Sequence, residues 1–201
     1  MIDLGTLGGG YSIGEAINRN DQVVGYGSNA NQVTHAFLYN GGDLIDLGTL
    51  GGRYSFAYDI NDSTQVVGAA ANGFEQFRAY LYEGGTMADL GTLGGDSSGG
   101  TGINNHGQIV GYSRIDLGAT THAFLYDEGL GGMVDLNEYI DSTSGWVLYD
   151  AAEISDRGHI VGRGNLGAFL LTPIPEPATL TVLAMGLFGM TLRWRRRKLP
   201  R

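Results

Sequence analysis

The sequence predicts an all-β protein: a β-propeller-like array of four repeats of about 43 residues, four strands each, followed by one C-terminal transmembrane helix. Three observations lead there. The phrase "DLGTLGG" stands at 3–9, 46–52 and 89–95, a period of 43. Glycine accounts for 35 of 201 residues with only four prolines and no G-X-Y period, so it marks many turns between short segments. The recurring phrases are rich in Val, Ile, Phe, Tyr and Leu, and Gly, Asn and Asp separate them.

Each unit carries four phrases in order. The first is "DLGTLGG", with a weaker fourth copy, "VDLNEY", from Val134. The second is "AIN" at 16–18, "DIN" at 59–61, "GIN" at 102–104 and "EIS" at 153–155. The third is "QVVG" at 22–25 and 65–68, "QIVG" at 108–111 and "HIVG" at 159–162. The fourth is "HAFLY" at 35–39 and 122–126, "RAYLY" at 78–82 and "GAFLL" at 167–171. All four read as short strands. Between the second and third, Asn18, Asn61 and Asn104 open polar turns in which an Asn side chain bonds the backbone two residues on. Asp21, Gly107 and Gly158 suit a left-handed closing residue, whereas β-branched Thr64 does not.

The spacing identifies an atypical last unit. Asp3 to Ile17, Asp46 to Ile60 and Asp89 to Ile103 each span 14 residues, but Asp135 to Ile154 spans 19. "HAFLY" puts Ala36 and Leu38 on one face and Phe37 and Tyr39 on the other, so the small sheets are apolar on both sides and stack. The last unit supplies three strands, near 151–155, 159–163 and 167–171. Pairing Ile2–Leu7 with it closes four blades into a ring without free edges. A larger array, or an open β-solenoid, is the alternative.

These phrases, with "HAF" at 35–37 and 122–124 and the closing "GWVLYDAAEISDRGHIVGRG", resemble the bacterial extracellular repeat proteins named for the HAF tripeptide, over roughly 1–172. The resemblance implies an exported protein. Arg78 and Gly167 replace the histidine in two copies, which argues against one universal role for it.

After residue 172 the composition changes. Pro173, Pro175 and Pro177 enforce an extended linker over 173–177. Ala178 to Leu192 holds 15 residues without a charge, about 22 Å as a helix, short of a hydrocarbon core of about 30 Å. Arg193 snorkelling and Trp194 at the interface extend its reach. Arg193, Arg195, Arg196, Arg197 and Lys198 hold the 193–201 tail in the cytoplasm and place the body outside the inner membrane. The ordered triad of Pro175-Glu176-Pro177, apolar segment and arginine cluster resembles the PEP-CTERM sorting signal of Gram-negative bacteria. That resemblance implies processing near the triad by an exosortase, a membrane cysteine protease, and delivery of the body to the cell surface or outside, often with exopolysaccharide. No N-terminal signal peptide precedes the first repeat, so an upstream start is expected.

Charge restricts function. Residues 1–172 hold 20 acids against 6 bases, which repels phosphate and excludes nucleic acid as a partner. Without cysteine there are no disulfides, thiolate metal sites or Cys nucleophiles. "LGTLGG" lacks the spacing and the Lys-Ser/Thr of a phosphate loop and reads as a structural turn. The recurring Asp3, Asp46, Asp89 and Asp135 read first as side-chain-to-backbone bonds, and second as a carboxylate ring for a cation. His35, His106, His122 and His159 form no metal signature. No catalytic, cofactor or metal residues are assigned. The expectation is a non-enzymatic surface or matrix protein, with a glycan-active propeller enzyme as the alternative. Trp146 and Tyr149, in the insertion at 140–152, are the candidate binding patch, with capping of the last blade as the simpler reading.

Overall fold

The computed structural model describes residues 1–173, which form four antiparallel sheets. Sheet I contains β1 (Gly8–Ile17), β2 (Val23–Asn29), β3 (Thr34–Tyr39) and β4 (Leu44–Asp46) in chain order. Sheet II repeats this with β5 (Gly51–Ile60), β6 (Val66–Asn72), β7 (Phe77–Glu83) and β8 (Thr86–Asp89). Sheet III holds β9 (Ser98–Ile103), β10 (Ile109–Arg114), β11 (Thr121–Asp127) and β12 (Gly132–Asp135). Sheet IV has three strands: β13 (Leu148–Ile154), β14 (Ile160–Gly164) and β15 (Gly167–Leu171).

The sheets stack in sequence order through three apolar interfaces of one design. Val24, Ala36 and Leu38 of sheet I meet Ala57, Ile60 and Val66 of sheet II. Val67 and Ala79 of sheet II meet Ile103, Ile109 and Phe124 of sheet III. Val110, Ala123 and Leu125 of sheet III meet Ala151, Ile154 and Ile160 of sheet IV. The two-faced reading of "HAFLY" therefore holds: Ala36 and Leu38 point into the first interface, and alternation puts Phe37 on the opposite face.

Four sequence expectations need correction. Among the described residues the ring does not close: Ile2–Leu7 forms no strand against β15, and sheet IV stays three-stranded. That segment is tied to its own sheet instead, because Ser12 Oγ donates to the Gly5 carbonyl at 2.6 Å and Leu7 bridges Asn29. The last unit keeps the three strands that its own phrases predict and lacks the fourth that closure would have added. "DLGTLGG" is not a strand throughout either. Its strand ends at Asp46, whose Oδ1 accepts the Gly48 amide at 2.8 Å, and the chain turns through Gly48 (φ 76°) and Gly51 (φ 101°) before β5. Finally, Thr64 does take the left-handed conformation, at φ 64°. Its hydroxyl donates to Gln22 Oε1 of sheet I at 2.8 Å, which offsets the strain of a β-branched residue there. No helix among the described residues is long and apolar enough to cross a membrane. The proposed span 178–192, Pro175, Glu176, Pro177 and the 193–201 cluster lie outside the described residues.

Tyr80 illustrates how the repeats constrain one another. The equivalent positions carry Phe37, Phe124 and Phe169, whereas the buried Tyr80 hydroxyl has no hydrogen-bond partner among the described residues. Burial raises its pKa. Tyr80→Phe removes an unsatisfied polar group while keeping the ring, so thermal unfolding is expected to show a gain of about 1 kcal/mol.

Candidate functional site

Among the described residues, two of the concavities lie where the sheets meet. The first, of about 390 Å³, is ringed by the four repeat turns, Ile17–Arg19, Ile60–Asp62, Ile103–Asn105 and Ile154–Asp156. Its polar groups serve the scaffold. Asn18 Oδ1 accepts the Asn20 and Gln22 amides, both at 3.0 Å, as the turn reading expects. Its Nδ2 goes further and donates to the Asn61 carbonyl of the next sheet at 3.0 Å. Asn61 and Asn104 repeat the gesture onto the Asn104 and Ser155 carbonyls, each at 3.1 Å. A parallel ladder runs beside it: the Arg19, Asp62 and Asn105 amides donate to Asp62, Asn105 and Asp156 side chains at 3.0, 2.8 and 2.9 Å. The bond from the Asn105 amide, then that from its side chain, keep Asp156 ionised below the usual carboxylate range, and Arg19 and His106 add to this.

The recurring aspartates all make the same local bond. Asp3, Asp46 and Asp89 accept the Gly5, Gly48 and Gly91 amides at 3.0, 2.8 and 2.8 Å, and Asp135 accepts the Asn137 amide at 2.8 Å. Asp46 and Asp135 also receive the histidines of the same sheet: His35 Nδ1 lies 2.9 Å from Asp46, and His122 Nδ1 lies 2.6 Å from Asp135. The histidine of "HAF" thus steadies the start of the following loop, a role that Arg78 and Gly167 do not fill. Among the described residues no three His, Cys, Asp or Glu side chains are grouped to hold a metal ion.

Two carboxyls beside the first concavity have raised pKa values. For Asp59 the cause is burial, opposed by the Ile103 and Ile60 amides, which bind its two oxygens at 2.8 Å each. For Glu153 burial comes first and the charge of Asp59 second. These residues occupy the repeat position of Ala16 and Gly102, so the pair belongs to two sheets only.

The second concavity, about 460 Å³, lies between sheets III and IV. Thr101, Tyr112 and Thr121 line one side, and Tyr149–Ala152 and Arg163 the other. Its walls differ from those of the first junction. At the first junction the same space is filled by aromatics: Tyr26 meets Phe56 edge-on at 5.0 Å, and Phe56 stacks with Tyr58 at 6.4 Å. At the third junction Tyr112 stands in for Tyr26, but Asp150 occupies the Phe56 position and Ala152 the Tyr58 position. Asp150 is bound by Arg163 through Nε and Nη2 at 3.0 and 2.6 Å, which leaves a groove with an aromatic and an ionic wall.

The inserted segment is fixed by two asparagines. Asn137 brackets Leu148, accepting its amide at 2.8 Å and donating to its carbonyl at 2.9 Å. Asn165 accepts the Val147 amide and donates to the Gly145 carbonyl, both at 2.8 Å. The two candidate aromatics are separated by this arrangement. Tyr149 is exposed and lines the groove, while Trp146 packs half-buried against the sheet III–IV core. Tyr112, Thr121 and Arg163 were not singled out by the sequence reading. Asp150 is a carboxylate where the aligned repeats carry Ile13, Phe56 and Gly99, and that change was the signal that could have pointed to them.

The family described as "Protein of unknown function (DUF3466)" matches residues 51–166, and the PEP-CTERM protein-sorting motif matches residues 173–198. No curated protein matches the chain.

Proposed function

The chain belongs to the DUF3466 family, and from that premise we propose that its repeat body is a non-enzymatic module that binds extracellular polysaccharide. The PEP-CTERM motif marks the chain as an exosortase-sorted, extracellular or cell-surface protein. The finer steps are part of the proposal: cleavage near Pro175-Glu176-Pro177, a transient inner-membrane span at 178–192, and Arg193, Arg195, Arg196, Arg197 and Lys198 retained in the cytoplasm. So are the HAF-repeat kinship of 1–172 and the description of the stacked sheets as propeller blades.

One observation carries the binding role: the groove between sheets III and IV. Tyr149 and Tyr112 offer aromatic surface to the apolar faces of sugar rings, and Thr101, Thr121, Asp150 and Arg163 offer partners to their hydroxyls. The non-enzymatic reading draws support from the acids. Asp150 is engaged twice by Arg163, and both oxygens of Asp59 are committed to backbone amides. A glycan-active enzyme is the second reading. It rests on the Asp59–Glu153 pair, and shortening of the bound polysaccharide during incubation would favour it.

The experiment is co-sedimentation of the full chain with exopolysaccharide purified from its own host. Tyr149→Ala is expected to weaken binding about tenfold, or ~1.4 kcal/mol. Trp146→Phe, which keeps the packing, is expected to leave it unchanged. Equal binding by the Tyr149→Ala variant and the parent would refute the groove.

A further inference from the structure

The three internal interfaces join one face of each sheet to the opposite face of the next, and both kinds of face are also displayed at the ends of the stack. On the following side, Val24, Val67 and Val110 are each 0% exposed, but their equivalent in sheet IV, Val161, is 42% exposed. Ala36, Ala79 and Ala123 are buried and Ala168 is exposed. Leu38 and Leu125 are buried, whereas Leu170 is 61% exposed. On the preceding side, Ile60, Ile103 and Ile154 are buried at 5%, 5% and 3%, but Ile17 of sheet I is 63% exposed. Val23, half-buried, stands where Val66, Ile109 and Ile160 are buried.

We propose that sheet IV of one molecule receives sheet I of a second copy of this chain, head to tail. Val161, Ala168 and Leu170 would pack on Ile17 and Val23 as Val24, Ala36 and Leu38 pack on Ile60 and Val66 within the chain. The occupant is specified by the chain itself, because this pairing of faces is made three times within it. A polar detail agrees. Ser55 and Ser98 each accept an alanine amide of the preceding sheet, Ala36 and Ala79, at 2.9 Å. Ser12, their equivalent, donates to Gly5 in the same way but receives no such amide among the described residues. The Ala168 amide of the second copy would supply it.

The contact is weaker than the internal ones. Ser155 stands where Asn18, Asn61 and Asn104 extend an amide to the next turn, so that bond is missing at the new junction. Reversible association follows. Because the two faces differ, the contact is heterologous and yields rings or filaments according to the rotation between copies.

Sedimentation velocity of the full chain in mild detergent tests this, with Ile17→Glu and Leu170→Glu each damaging one face. The parent is expected to grow from monomer to larger species with concentration. Each variant alone is expected to stay monomeric. An equimolar mixture should give a heterodimer and nothing larger, since one intact face remains on each partner. Both sites are exposed, so folding is expected to persist. Ile17→Ser and Leu170→Ser repeat the test if a charge disturbs it. A parent that stays monomeric at about 100 μM, where even a weak contact is half formed, overturns the proposal by showing the faces otherwise covered. So does association that survives in both variants, which would assign it to the tail.

Discussion

Gly68→Ala is expected to destabilise the repeat body by about 3 kcal/mol or more, a large share of the ~5–15 kcal/mol that holds a domain folded. The reason is the backbone rather than the side chains. A β-bulge between Ala57 and Asp59 brings β5 close to β6, and a methyl on Gly68 would sit 1.9 Å from the Phe56 carbonyl oxygen. A strand cannot be pushed aside as a side chain can. The clash recurs at the equivalent residues, at 1.9 Å for Gly25, 2.0 Å for Gly111 and 2.2 Å for Gly162. Gly42 provides the control, because a methyl there meets nothing within 4 Å, and Gly42→Ala should change stability by less than about 0.5 kcal/mol. Urea unfolding of the three proteins measures the difference. A Gly68→Ala midpoint equal to that of the Gly42→Ala variant would show that the bulge is not required.

The glycine that ends "QVVG" shows what the sequence held and what it withheld. A glycine recurring inside a strand signals close backbone approach, and that signal stood at four positions. Its partner was not readable, since it lies on the preceding strand of the same sheet and the bulge sets the distance. The stacking of two-faced sheets was legible because period-2 alternation and a 43-residue repeat are local patterns. Closure of the ring was not, because it depends on the rotation between successive sheets, which no single repeat encodes. The recurring aspartates were legible as side-chain-to-backbone bonds, although Asp46, Asp89 and Asp135 stand at strand ends rather than strand starts. The histidine partners of Asp46 and Asp135 were not, although the strand carrying each histidine immediately precedes that aspartate's strand. Tyr149 was found as an aromatic in an insertion, and the fold exposes it. Trp146 was grouped with it by sequence distance alone, and the two asparagine brackets that separate them act across the sheet.

Asn61 is where local and long-range roles can be separated by a graded series. Its Oδ1 accepts the Ser63 and Gln65 amides, both at 3.0 Å, and its Nδ2 donates to Gln65 Oε1 at 2.6 Å and to the Asn104 carbonyl at 3.1 Å. Asn61→Ala removes all four bonds at a buried site and is expected to cost about 2–4 kcal/mol. Asn61→Ser imitates Ser155, whose hydroxyl oxygen accepts the His159 amide at 3.1 Å without reaching any further sheet. It should cost less than alanine, and the remaining loss measures the link to sheet III. Asn61→Asp keeps the acceptor but points a second oxygen at the Asn104 carbonyl and at Gln65 Oε1. At neutral pH it should be at least as damaging as alanine. Burial of the new carboxyl raises its folded pKa, so its protonated form is favoured in the native state and stability is lost as pH rises through that value. The N61D variant should therefore recover towards the parent in acid, when the carboxyl regains a donor, whereas the alanine variant shows no such pH-dependent recovery. Denaturation midpoints at pH 4 and pH 7 for the three variants decide it. A neutral-pH N61D protein as stable as the parent would mean that the amide ladder between sheets contributes nothing.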